Sequence, residues 1–367
     1  FVKNINNLLG LILVIAAGIF VVYGLFSYLN VSAVTIANNI DASYVIGAGS
    51  GSQDFTNTSS GTTASTFNNA KAVYYDSADN RLFVSDSGNS RVLVFNTDSE
   101  GIPLDYTADN VLGQSDFTSS TATRTQSGMT EPYGLAYDTT NKYLFVKDDL
   151  GGAGNAGRIL VYDVASIIDG ENAIKVLGQE NFTDNDVTYD QDTIIRGKGL
   201  DYDNANKRLF TNDGRTLIWD LSSGITDGMN ASWVLGQPDF DTYDNLTTVS
   251  GVWAAISNDV SYDSSNDYLY VGDQGNRRIL VYDIASITNG EDAINVIGQP
   301  DFTSNSDLGV TSKTFQGQVL AGGVSLIAFD YDSSNNRLFA IDNGVGRALV
   351  FDMSSGVTDY MAASWVL

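Results

Sequence analysis

Neither cysteine nor histidine occurs anywhere in the 367-residue sequence. No disulfide framework can therefore staple the fold, and cysteine pairing gives no clue to the redox compartment. There is also no thiol nucleophile, no imidazole base and no zinc held by sulfur or imidazole. Ser–His–Asp and Cys–His mechanisms are excluded. Any catalysis would fall to carboxylates, lysine, tyrosine or a metal held by oxygen. Basic side chains are scarce as well: 19 Lys and Arg stand against 44 Asp and Glu, for a formal net charge of −25. Such a field repels nucleic acid and anionic lipid, so neither is expected to bind the main body. It favours solubility and divalent cations. Apolar residues, by contrast, make up 43% of the chain, enough for a large core.

Charge is missing altogether from residues 8–26. As a helix rising about 1.5 Å per residue, this run spans about 28 Å, close to a bilayer core of about 30 Å. Lys3 precedes it and the acidic body follows, which by the positive-inside tendency puts Phe1 in the cytoplasm and the body outside. The expected organisation is a hydrophobic helix over 1–30, a linker over 31–43 and a folded body over 44–367. The helix would present Phe1, Leu8, Leu11, Ile12, Ile15, Ile19, Val22, Leu25 and Phe26 to lipid or to neighbouring helices. Gly10, Ala17, Gly18 and Gly24 would allow close helix approach.

A signal anchor and an uncleaved secretory signal both fit this pattern. So does the N-terminal helix of a type IV pilin. The chain resembles mature pilins in beginning with Phe1, in the run 8–26 and in its polar continuation Ser27, Tyr28 and Asn30. It departs from the common bacterial pattern at Ile5, where that family has Glu, and at Val22, where it often has Pro. The start at Phe rather than Met is expected if a leader is clipped, or if the beginning is missing. The resemblance implies an extracellular filament whose core is built from copies of this helix, with the helix lying in the membrane before assembly.

The body is repetitive. One segment recurs five times: YDSADNRLFV at 75–84, YDTTNKYLFV at 137–146, YDNANKRLFT at 202–211, YDSSNDYLYV at 262–271 and YDSSNNRLFA at 331–340. Each reads as a strand, an Asp/Asn/Ser turn and a second strand, because those turn residues bond their own backbone and tolerate left-handed φ. A third strand follows: RVLVFN at 91–96, RILVYD at 158–163, RTLIWD at 215–220, RILVYD at 278–283 and RALVFD at 347–352. A fourth is marked by VLG at 111–113, 176–178 and 234–236 and by VIG at 296–298. Four short apolar strands cannot bury both faces alone, whereas stacking such sheets round an axis does. The expected fold is mainly β: a propeller of five blades, with six as the alternative, preceded by one long hydrophobic helix. A further VIG at 45–47 and the terminal Val366 and Leu367 compete for the fourth-strand slot of the last blade.

The body resembles NHL-repeat propellers, whose hallmark is a D-x-G-N-x-R turn leading into an apolar strand that ends in Asp. DSGNSR at 86–91 and DQGNRR at 273–278 match it, DNGVGR at 342–347 and the shortened DGR at 213–215 depart from it, and the second copy is expanded over 148–158. VIGQPDF at 296–302 resembles the linker between units in bacterial members.

Candidate functional residues are few. The repeated Arg91, Arg158, Arg215, Arg278 and Arg347 lie beside Asp86, Asp148, Asp213, Asp273 and Asp342, reading either as a ring of ligand-binding charges or as a brace of each hairpin, which recurrence favours. Asp184, Asp186, Asp190 and Asp192 form an acidic loop of the kind that suits Ca²⁺, at a spacing unlike an EF-hand; no other cofactor is expected. Trp219, Trp233 and Trp365 fall at repeated apolar positions and are expected in the core; Trp253 does not, and reads as a packed loop residue or as part of a binding face. Asn30, Asn57, Asn181, Asn230 and Asn245 head N-x-[ST] sequons and are candidate glycosylation sites. No carboxylates converge on a catalytic pattern, so an enzyme is not expected. The expected function is a pilus-like structural subunit displaying its propeller for adhesion. The alternative is a membrane-anchored propeller that binds a surface ligand without polymerising.

Overall fold

The computed structural model describes residues 44–47, 49, 60–149, 156–195, 197–252, 259–316, 319–320, 323–324 and 327–367. The expected helix and linker over 1–43, with every helix position named above, lie outside these residues, as do Asn30, Asn57 and Trp253. No helix among the described residues is long and apolar enough to cross a membrane.

Five four-stranded antiparallel sheets carry the fold, one for each repeat. Blade one is β1 (Ala70–Asp76), β2 (Arg81–Asp86), β3 (Arg91–Asn96) and β4 (Asn110–Leu112). Blade two is β5 (Glu131–Asp138), β6 (Tyr143–Asp149), β7 (Gly157–Asp163) and β8 (Lys175–Leu177). Blade three is β9 (Leu200–Asp203), β10 (Arg208–Asn212), β11 (Thr216–Asp220) and β12 (Trp233–Leu235). Blade four is β13 (Val260–Asp263), β14 (Tyr268–Asp273), β15 (Arg278–Asp283) and β16 (Asn295–Ile297). A short hairpin, β17 (Val319–Leu320) with β18 (Gly323–Val324), precedes blade five, which is β19 (Ile327–Asp332), β20 (Arg337–Asp342), β21 (Arg347–Asp352) and β22 (Trp365–Val366). The first strands β1, β5, β9, β13 and β19 lie side by side in that order, so they form the inner wall of a propeller.

The first turn of each blade closes as its sequence dictates. Asp76, Asp138, Asp203, Asp263 and Asp332 each accept the backbone N–H groups two and three residues on, at 2.8–3.4 Å. The residue entering the second strand is left-handed in every copy: Asn80, Lys142, Lys207, Asp267 and Asn336 have φ between 51° and 59°. Asn and Asp tolerate that region, which is why the turn is legible; Lys occupies it at some cost.

Packing is between blades. Each seam pairs an aromatic of one second strand with the repeated Tyr of the next blade: Phe83 with Tyr137, Phe145 with Tyr202, Phe210 with Tyr262 and Tyr270 with Tyr331, with centroids 5.1–6.0 Å apart. Phe83, Phe145, Phe210 and Tyr270 have no exposed surface. Such pairs add about 0.5–1.5 kcal/mol each beyond their area burial. The outer edges are covered too. In blades two to five, a loop after the third strand reaches back to the fourth strand of the preceding blade. Asp169, Asp227, Asn289 and Asp359 accept the N–H of Val111, Val176, Val234 and Val296 at 3.0–3.1 Å. The next residue returns its own N–H to the same valine's carbonyl at 2.9–3.1 Å. An otherwise unpaired strand edge is thereby satisfied.

The competition for the last slot resolves in favour of the C-terminal copy: Trp365 and Val366 pair with Val350 and Leu349. Val45, Ile46 and Gly47 form no strand; Ile46 packs on the free side of blade one beside Phe67, Val84, Leu93 and Phe95. Among the described residues, the far face of blade five is the open one. Phe339 is only partly buried, and Ile341 is 50% exposed.

Candidate functional site

The repeated Arg and Asp form the brace rather than a ligand ring. Arg91, Arg158, Arg215, Arg278 and Arg347 each pair with the Asp of the same hairpin at 2.6–3.0 Å, and the first four have no exposed side-chain surface. Arg278 shows what the guanidinium does. Its Nε donates to Asp273 at 2.6 Å, and its terminal nitrogens donate to the carbonyls of Thr248, Gly251 and Phe302. The planar fork thus ties the loop entering a blade, the blade itself and the loop leaving it. All of its donors point inward.

The acidic loop is internally bonded. Asp186 accepts from the Thr188 amide and hydroxyl at 2.8 and 2.9 Å, and Asp190 accepts from the hydroxyls of Thr188 and Thr193 at 2.9 and 2.7 Å. Burial and the neighbouring Asp190 push the Asp192 carboxyl up to about 6. Among the described residues no group of three or more acidic side chains is arranged to hold a metal ion. Trp219 is buried and donates to the Met229 carbonyl at 3.0 Å; Trp233 and Trp365 are partly buried. Asn181, Asn230 and Asn245 are exposed, as an acceptor of a glycan must be.

What the repeats hid is the inner wall. Positions that carry different residues from blade to blade line up there. One residue before the repeated Tyr stand Tyr74, Ala136, Asp201, Ser261 and Asp330. Three residues before it stand Ala72, Gly134, Gly199, Asp259 and Ala328. These side chains reach the edge of the adjacent blade. Asp201 accepts the Tyr262 N–H at 2.7 Å, Asp259 accepts the Phe329 N–H at 3.1 Å, and the Ser261 hydroxyl accepts the Tyr331 N–H at 3.0 Å. Burial pushes the Asp201 and Asp259 carboxyls up to about 7, against the lowering effect of those amides; the nearby carboxylate of Asp330 adds to both. Tyr74 is pushed up to about 12 by burial and then by Asp201, Asp76 and Asp330. Residues of blades one, three and five therefore share one electrostatic environment at the axis.

Four residues before the repeated Tyr, at the mouth of this inner wall, are Lys71, Tyr133 and Lys198 from three successive blades. Lys71 and Lys198 place their ammonium groups 5.7 and 4.8 Å from the centroid of the Tyr133 ring. Burial, and then Lys71, hold Lys198 below the usual lysine range. Gly134 makes the approach possible, since a Cβ there would stand 2.4 Å from the Lys198 carbonyl oxygen. The register shifts between Ala70 and Val73 and between Pro132 and Leu135 fall on Lys71 and Tyr133, and an extra residue of this kind re-aims a side chain. No residue of this mouth stood out in the sequence, because each occurs once; its signal is departure from the repeat at a repeated register.

No family model and no curated protein matches the sequence. Solved structures do resemble the fold. The chain is similar to one in a crystal structure of a nidogen/laminin complex, with a TM-score of 0.43 and 12% identity over 81% of this chain and 79% of that one. It is also similar to the WD40 domain of coronin from Toxoplasma gondii, with a TM-score of 0.46 and 9% identity over 83% of this chain and 59% of that one.

Proposed function

We propose that this protein is a structural subunit of an extracellular, type IV pilus-like filament, with an NHL-like propeller displayed on the outside. One observation carries the reading: a run without charge, residues 8–26, is joined to a body compact in its own right over Asn38–Leu367. The body has its own apolar seams. A surface that apolar is covered by lipid or by copies of itself, at roughly 25 cal/mol per Å² removed from water. Copies of the run, packed through Gly10, Ala17, Gly18 and Gly24, supply that cover once the subunit leaves the bilayer. The acidic body, at the outer radius, keeps the filament soluble and offers its propeller faces for adhesion.

The second reading, a tethered propeller that binds a ligand without polymerising, is favoured by Ile5, which cannot accept a neighbour's N-terminal amine as the pilin Glu does. Negative-stain microscopy of material sheared from the cell surface separates the two. Filaments that bind antibody against the propeller, and that disappear in an Ile15→Asp variant whose propeller still melts normally, are the expected result. Monomers or vesicle-bound protein alone would sink the filament reading and leave the tether.

A further inference from the structure

The mouth of the inner wall brings two lysines of different blades to one tyrosine ring. In a chain with 44 acidic residues, Lys142, Lys147 and Lys207 find carboxylates within 3.3 Å. Lys71 and Lys198, like Lys175 and Lys313, have no ion pair among the described residues, and these two share the ring of Tyr133. The acidic groups nearest them are engaged. Asp149 is paired with the buried Lys147 at 3.1 Å, and Glu131 accepts the Tyr133 hydroxyl at 3.4 Å. Counting these five side chains, the mouth keeps a positive balance.

We propose that Lys71, Tyr133 and Lys198 form a binding site for a small ligand bearing a carboxylate. Two ammonium groups on one aromatic ring repel each other, and a carboxylate between them removes that repulsion while making charge-assisted hydrogen bonds to both. The aromatic ring supplies an apolar wall beside the two cations. The register shifts in β1 and β5 place Lys71 and Tyr133 on the inner strands, and the close approach at Gly134 brings up Lys198, just before β9. The net charge of −25 selects against long polyanions, which the body repels, and leaves a single carboxylate on a small molecule as the occupant. The ligand is therefore an acidic sugar or a small organic acid.

The proposal deepens the display role given to the propeller and rests on that part alone; it holds whether the body is carried by a filament or a tether. Its test is calorimetric titration of the full chain in detergent at low salt with galacturonate and with butyrate, each bearing one carboxylate, using galactose as the neutral control. Saturable binding on the order of millimolar is expected for a carboxylate and none for galactose. Lys71→Met, at an exposed position that does not threaten folding, and Lys198→Met should each weaken it by about tenfold. Lys313→Met, which alters a lysine lying over Tyr360 elsewhere on the body, should not. Binding of galacturonate alone identifies an acidic sugar, and binding of both acids a free carboxylate; either supports the site. No saturation by either acid, or binding indifferent to both lysine variants, overturns it. Neither result bears on whether filaments form.

Discussion

A guanidinium with no exposed surface has given up its hydration, and that of Arg278 recovers the loss through Asp273 and three carbonyls. Removing it takes the guanidinium from Asp273, which is equally buried, and leaves three carbonyls without their donor. Arg278→Met should therefore cost about 3–5 kcal/mol in urea unfolding. Arg347→Met should cost clearly less, because that side chain is 14% exposed and water can replace part of its bonding. Equal losses at the two sites would mean that the brace acts within its hairpin and not across the loops.

The inner-wall carboxyls act in the opposite sense. Asp201 and Asp259 titrate near 7 in the folded chain against about 3.9 when unfolded. A carboxyl raised on folding stabilises the native state fully below the unfolded value, and that contribution is lost as pH rises through the folded value. The window is therefore pH 4–7, with one pH unit of displacement worth about 1.4 kcal/mol per group. The charges acting on this pair are Asp330, which raises both, and Asp259, which raises Asp201. Asp201→Asn keeps an oxygen for the Tyr262 N–H and removes the charge. It should raise the melting temperature at pH 8 and leave it nearly unchanged at pH 4. A uniform shift across that range would assign the effect to packing.

At the scale of the blade, stability resides in seams between sheets rather than within them. Phe210 is sealed against Tyr262, whereas Phe339, its counterpart in blade five, is partly buried with Ile341 half exposed beside it. Phe210→Ala should cost about 3–5 kcal/mol and Phe339→Ala distinctly less. Comparable losses would show that the far face of blade five is covered in solution. The strands themselves were legible, since turn, brace and apolar runs recur five times with little change. The edge clamp is written in the sequence too: IDGENA at 168–173, TDGMNA at 226–231, TNGEDA at 288–293 and TDYMAA at 358–363 are copies of one another. Its purpose was not, because Asp169 satisfies a strand of the preceding blade, 58 residues away.

For the whole molecule, the organising contrast is between an uncharged run and an acidic body. Residues 38–367 expressed alone should remain monomeric and melt cooperatively, as a unit that owns its core does. The full chain should partition into detergent. Should the shorter chain aggregate or melt without cooperativity, the run would be a structural part of the propeller and the filament reading would lose its basis.

The sequence by itself determined the mainly β class, the five hairpins, the four-strand unit and the pairing of each Arg with its Asp, because each rests on local chemistry repeated within one unit. Tertiary structure alone decided which copy fills the last fourth-strand slot, which faces are sealed, and that Lys71, Tyr133 and Lys198 meet. Those outcomes depend on distances between residues far apart in the chain, set by how the blades turn about the axis. A linear pattern carries no record of that rotation.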